Sequence, residues 1–70
     1  MILKLNSMYE AGGARFIPRS HFKTEKGVQY AIFERLVKNG TGYAVRHMTL
    51  TRAEIKKAMG IAKNERVEIL

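Results

Sequence analysis

Val28-Gln29-Tyr30-Ala31-Ile32-Phe33-Glu34-Arg35-Leu36-Val37-Lys38 is the stretch that decides the architecture of this chain. As a helix it sets Val28, Ile32 and Leu36 on one stripe and stops at Asn39-Gly40, an acceptable C-terminal cap. As a strand it sets Tyr30, Ile32, Glu34 and Leu36 on one face. A hairpin test tips the balance. With a three-residue loop Asn39-Gly40-Thr41, Leu36 falls opposite Ala44, Glu34 opposite Arg46, Ile32 opposite Met48 and Tyr30 opposite Leu50. That register joins apolar residues to apolar ones and the single carboxylate to a guanidinium. Strand is therefore the preferred reading, with helix kept as its alternative.

On the C-terminal side, Thr51 and Glu54 form a Ser/Thr-x-x-Glu capping box, in which each side chain satisfies the other residue's free backbone N–H. A helix is expected over about 51–59, with Ile55, Ala58 and Met59 on one face and Gly60 as its left-handed stop. Arg66 to Leu70 alternates, with Val67 and Ile69 on one side, and reads as a closing strand. On the N-terminal side, Met1 to Leu5 reads as a short strand and Asn6 to Gly13 as a loop. Arg15 to Pro18 is extended and, because Pro18 has no N–H to donate, lies at an edge or ends there. Phe16 and Phe22 are expected in the core, and Tyr9, Tyr30 and Tyr43 in packing roles.

Seventy residues allow one domain, 1–70, whose core is small: a chain of this length buries only about 60% of its unfolded surface. With no Cys there are no disulfides and no thiolate metal sites, so oligomerisation is the remaining common remedy and a homodimer is expected. The absence of Cys also fits a reducing, cytoplasmic location. No run of about 18 apolar residues offers a membrane span, and the first residues do not read as a signal peptide. Thirteen Lys and Arg stand against six Glu, a net charge of +7. Residues 35–63 hold Arg35, Lys38, Arg46, Arg52, Lys56, Lys57 and Lys63 against Glu54 alone. A field of that sign concentrates polyanions, and in so small and basic a domain it points to nucleic acid.

A family resemblance sharpens this. The run Glu54-Ile55-Lys56-Lys57-Ala58-Met59-Gly60-Ile61, the turn Ala62 to Glu65, and Arg66-Val67-Glu68-Ile69 resemble the SpoVT/AbrB-like swapped-hairpin domain. Gly42 to Arg46 and Thr49-Leu50-Thr51 look like that family's glycine-led strand into its helix. The resemblance covers residues 40–70. It implies a β-rich α+β fold, a small swapped-hairpin β-barrel with one short helix, and a homodimer that binds double-stranded DNA as a transcription regulator. Carried over by position, the DNA-contacting candidates are Arg46 on the strand and Arg52, Lys56 and Lys57 on the helix. Arg15 and Arg19 join them if Arg15 to Ile32, with its Ile17-Pro18, is a degenerate echo of the same unit. The chain departs from the family where Thr51 stands in place of the usual Pro, where one extra residue separates Leu50 from Glu54, and after Leu70, where the last strand is missing.

Catalysis is not expected: the sequence holds no nucleophile elbow, phosphate loop or metal-ligand spacing, and so implies no cofactor. His21 and His47 have no carboxylate partner at motif spacing. Two rivals remain. If residues 28–39 are helical, Thr51 to Gly60 and Ala62 to Leu70 become a helix-turn-helix, although the second helix would be short. A different class is an inhibitor or antitoxin-like module that takes a protein partner by strand addition.

Overall fold

Seven elements make up the fold in a computed structural model that describes residues 1–70. They run β1 (Ile2–Leu3), β2 (Tyr9–Ala11), β3 (Ala14–Lys23), β4 (Gln29–Asn39), β5 (Gly42–Thr51), α1 (Arg52–Met59) and β6 (Glu68–Ile69). The deciding stretch is a strand. β2 to β5 form an antiparallel sheet in chain order, and β1 pairs with β6 in parallel as a separate ribbon.

Turn chemistry sets the hairpins. Gly12 and Gly13 both hold positive φ, 56° and 77°, the type I′ geometry that suits strand twist, so Asn6–Gly13 is not all loop but carries β2 into a tight hairpin with β3. Between β4 and β5 the loop has two residues, Gly40 with φ 63° and then Thr41, because Asn39 pairs with Gly42. The expected three-residue loop is one residue too long. The ladder therefore slips by one: Arg46 stands opposite Arg35, not Glu34, and Glu34 faces His47. A slip of one sends each side chain of a strand to the other face.

The core explains why this register wins. It places Phe33 beside Met48 and Ala31 beside Leu50, on the face that also takes Phe16 and Pro18 of β3. Phe33 and Phe16 are sealed from solvent and meet edge-to-face at 6.5 Å. Leu3 of β1, Ile55 of α1 and Val67, just before β6, close over them. Phe22 is a correction: it is exposed, and stacks on Tyr30 across the outer face at 5.5 Å. Pro18 sits inside a ten-residue strand, beyond the last residue of β3 that β2 covers and at a bulge between Pro18 and Ser20. Its carbonyl accepts from the N–H of Asn6 at 2.7 Å.

α1 is capped as the sequence predicts. Thr51 accepts from the Glu54 N–H, Glu54 reaches back to the Thr51 N–H, and Gly60 takes the left-handed position at φ 68°. Of the expected apolar face only Ile55 is buried, Met59 is half-buried and Ala58 is exposed. The chain is thus β-rich α+β with one short helix, but the sheet does not close into a barrel. Its edges β2 and β5 do not meet, since four strands are too few for closure and α1 with the β1–β6 ribbon covers the apolar face instead. The helix-turn-helix alternative falls too, because residues 29–39 are strand and no helix follows Gly60.

Candidate nucleic-acid interface

The sheet has two faces with different electrostatics, and the six arginines and lysines singled out from sequence divide between them. Arg15 and Arg19 belong to the outer face. Arg15 pairs with Glu10 at 3.3 Å and lies 5.2 Å over the ring of Tyr43. Arg19 binds Glu34 at 3.1 Å and Asn6 at 2.9 Å. His47 adds its Nε2 3.7 Å from the same carboxylate. Arg19 first of all, and His47 after it, hold the Glu34 carboxyl below its ordinary range. Both outer-face arginines are engaged with the chain's own acids.

Arg46, Arg52, Lys56 and Lys57 have no carboxylate partner. Arg46 projects from the inner face of β5, the face against which α1 packs, and is exposed. Arg52 opens α1 and hydrogen-bonds the side-chain oxygen of Gln29 in β4. Lys56 donates to the carbonyl of Lys63 at 2.9 Å, and Lys57 is exposed beside it. Two cations in the last turn also suit the negative end of the helix dipole. The acid within this group, Glu54, is occupied by the Thr51 cap, whose backbone N–H lowers its pKa. Of the six residues singled out, the four without a carboxylate partner thus lie on the α1 side.

One residue joins this set that the sequence reading left out of the site. Arg35 lies directly across from Arg46, its guanidinium carbon 5.6 Å from the centre of the Phe16 ring beneath it. The transverse row across the sheet is Tyr9, Phe16, Arg35, Arg46. Tyr9 is anchored by the backbone N–H of Lys4, which donates to its hydroxyl at 2.7 Å. The signal for Arg35 lay in Gly40-Thr41: a two-residue turn with glycine first would have put both arginines on one face.

At the other end of the sheet a cavity of about 310 Å³ has Ala31, Leu50 and Ile55 among its lining and His21, Lys23 and Arg52 around it. No group of three or more His, Cys, Asp or Glu is placed to hold a metal ion, and no helix is long and apolar enough to cross a membrane. No family model, curated protein or solved structure matches the chain.

Proposed function

We propose that the chain binds duplex DNA through the α1 side of its sheet, as a dimeric transcription regulator of the SpoVT/AbrB-like kind acting in the cytoplasm. The observation that carries this is the division of charge: Arg15 and Arg19 are paired with Glu10 and Glu34, whereas Arg46, Arg52 and Lys57, all exposed, and the half-buried Lys56 have no carboxylate partner. Cations left unneutralised are the groups that release counterions from a phosphate backbone. β5 is an open edge of the sheet and carries Arg46 on the face that α1 packs against. A second copy supplies the burial that a core of eight apolar residues lacks, and the swapped-hairpin resemblance of residues 40–70 is to a family of dimers.

The test is a fourfold replacement of Arg46, Arg52, Lys56 and Lys57 by Ala. The variant keeps its circular dichroism spectrum and dimer mass, and loses duplex affinity together with about 0.9 of salt slope for each phosphate contact removed. Unchanged retention on duplex DNA at low salt would falsify the reading.

One observation favours a second reading. β5 pairs with β4 alone, so a ten-residue strand offers an open edge for strand addition by a protein partner, as an antitoxin-like module would use. A stoichiometric complex that tolerates high salt distinguishes this from DNA binding.

A further inference from the structure

We infer that Arg35 and Arg46 form a single oxyanion site, and that its ligand is one phosphate group of a bound nucleic-acid backbone. The choice of ligand rests on the DNA-binding reading; the site itself does not.

Four features of the free protein lead to it. Arg35 and Arg46 are direct cross-strand neighbours on the same face, an arrangement that like charges disfavour. Neither has a carboxylate within 4.0 Å, although the outer face of the same strands carries Glu34 with two basic partners. The Arg35 Nε is shut off from solvent, while its two terminal nitrogens are neither buried nor hydrogen-bonded, so the guanidinium presents an unused outer edge. The ring of Phe16, its neighbour on β3, holds the Arg35 guanidinium, and Phe16 is itself buried in the core.

A guanidinium held over Phe16 with its outer edge unused, beside a second, exposed one, is a half-built anion clamp. A tetrahedral phosphate supplies what the protein lacks. Its oxygens accept from both arginines, its charge relieves their repulsion, and the planar fork of Arg35 matches two oxygens at once. Lysine at either position would bring charge without the fork. The clamp lies on the face that carries the α1 cations, so Arg52, Lys56 and Lys57 would meet other phosphates of the same duplex.

The experiment follows the Arg Nε–Hε signals of ¹⁵N-labelled protein by NMR during titration with inorganic phosphate at constant ionic strength, then with duplex DNA. Arg35 should shift with both, and the phosphate response should vanish in Arg46→Gln. Duplex binding measured against salt should lose about 0.9 of slope, the share of one phosphate, in Arg35→Gln/Arg46→Gln. Arg46→Gln alone, at an exposed position that does not threaten folding, should raise the thermal midpoint of the free protein by relieving the repulsion. An Arg35 signal unmoved by phosphate and by duplex overturns the site. Full duplex affinity and salt slope in the double variant overturn it while leaving the DNA reading intact. A phosphate response at Arg35 in a protein that ignores duplex keeps the site and removes its assigned ligand.

Discussion

Thr51 gives its backbone N–H to the Glu54 carboxylate at 2.9 Å and takes the Glu54 N–H on its hydroxyl at 3.3 Å. This reciprocal pair turns the chain from the edge strand directly into the helix, with no intervening loop.

The resemblance of residues 40–70 to the SpoVT/AbrB-like domain, in which proline is usual at this position, implies that Thr51→Pro is tolerated, as the first turn of a helix accepts proline. The geometry reverses that expectation. Thr51 is the cap, not the first helical residue, and proline would delete both the donated N–H and the accepting hydroxyl. Thr51→Ala should cost about 1 kcal/mol and Thr51→Pro more, whereas Thr51→Ser should be close to neutral. Thermal melts settle the order, with each kcal/mol worth about 4–8 °C in a domain this small.

Acid sensitivity follows from two carboxyls. Glu54, through its bonds to Thr51, and Glu34, chiefly through Arg19, titrate below their ordinary value of 4.5 in the folded chain. A carboxyl held low when folded stabilises fully above its unfolded pKa, and the benefit disappears as pH falls through the folded one. The melting midpoint should therefore drop from about pH 5 downward. Glu34→Gln/Glu54→Gln should start lower at neutral pH and flatten that slope. A double variant with the same acid slope as the parent would contradict the assignment.

Phe33 is the residue whose loss the core cannot absorb. It contributes to the packing of both β3 and β5 and is wholly buried. Phe33→Ala should cost about 3–5 kcal/mol, close to all that a core of this size supplies. The variant should lack dispersed amide signals at 25 °C, while Phe33→Leu should retain them.

Arg15 and Arg19 serve as internal controls for the interface. Each is tied to an acid on the outer face, so Arg15→Ala and Arg19→Ala should leave duplex affinity and its salt slope within about twofold of the parent. Arg46→Ala should weaken binding by about tenfold or more, the loss of one charge-assisted contact of about 1.5–3 kcal/mol. Equal effects from both sides of the sheet would mean that the cations act through net charge alone.

Much of the frame was legible in residues. The Thr51–Glu54 box and the Gly60 stop rest on local chemistry, and local chemistry survives folding; the strand expected over Arg66 to Leu70 is present as Glu68–Ile69. The register of β4 was not legible from alternation. Tyr30, Ile32 and Leu36 make one face apolar, and Ala31, Phe33 and Val37 make the other equally so, each interrupted by one charge. A cross-strand ion pair contributes only about 0.2–1 kcal/mol, so the attraction of Glu34 for Arg46 could not outweigh sealing Phe33 into the core. That choice moved Arg46 beside Arg35 and changed the composition of the candidate site. The exposure of Phe22 has a related cause: the bulge after Pro18 changes the alternation of β3, and periodicity alone gives no sign of it.

The parallel ribbon of β1 and β6 joins residues at opposite ends of the sequence, with Leu3 against Ile69, Met1 bonded to the carbonyl of Arg66 at 2.6 Å, and Leu5 bonded to that of Leu70 at 2.7 Å. The hairpins β2–β3, β3–β4 and β4–β5 form from neighbours in the chain, but the lid over Phe16 and Phe33 seats only when β6 has come back to β1. Docking β6 on β1 therefore closes the longest loop of the fold, the contact whose chain-entropy cost is largest.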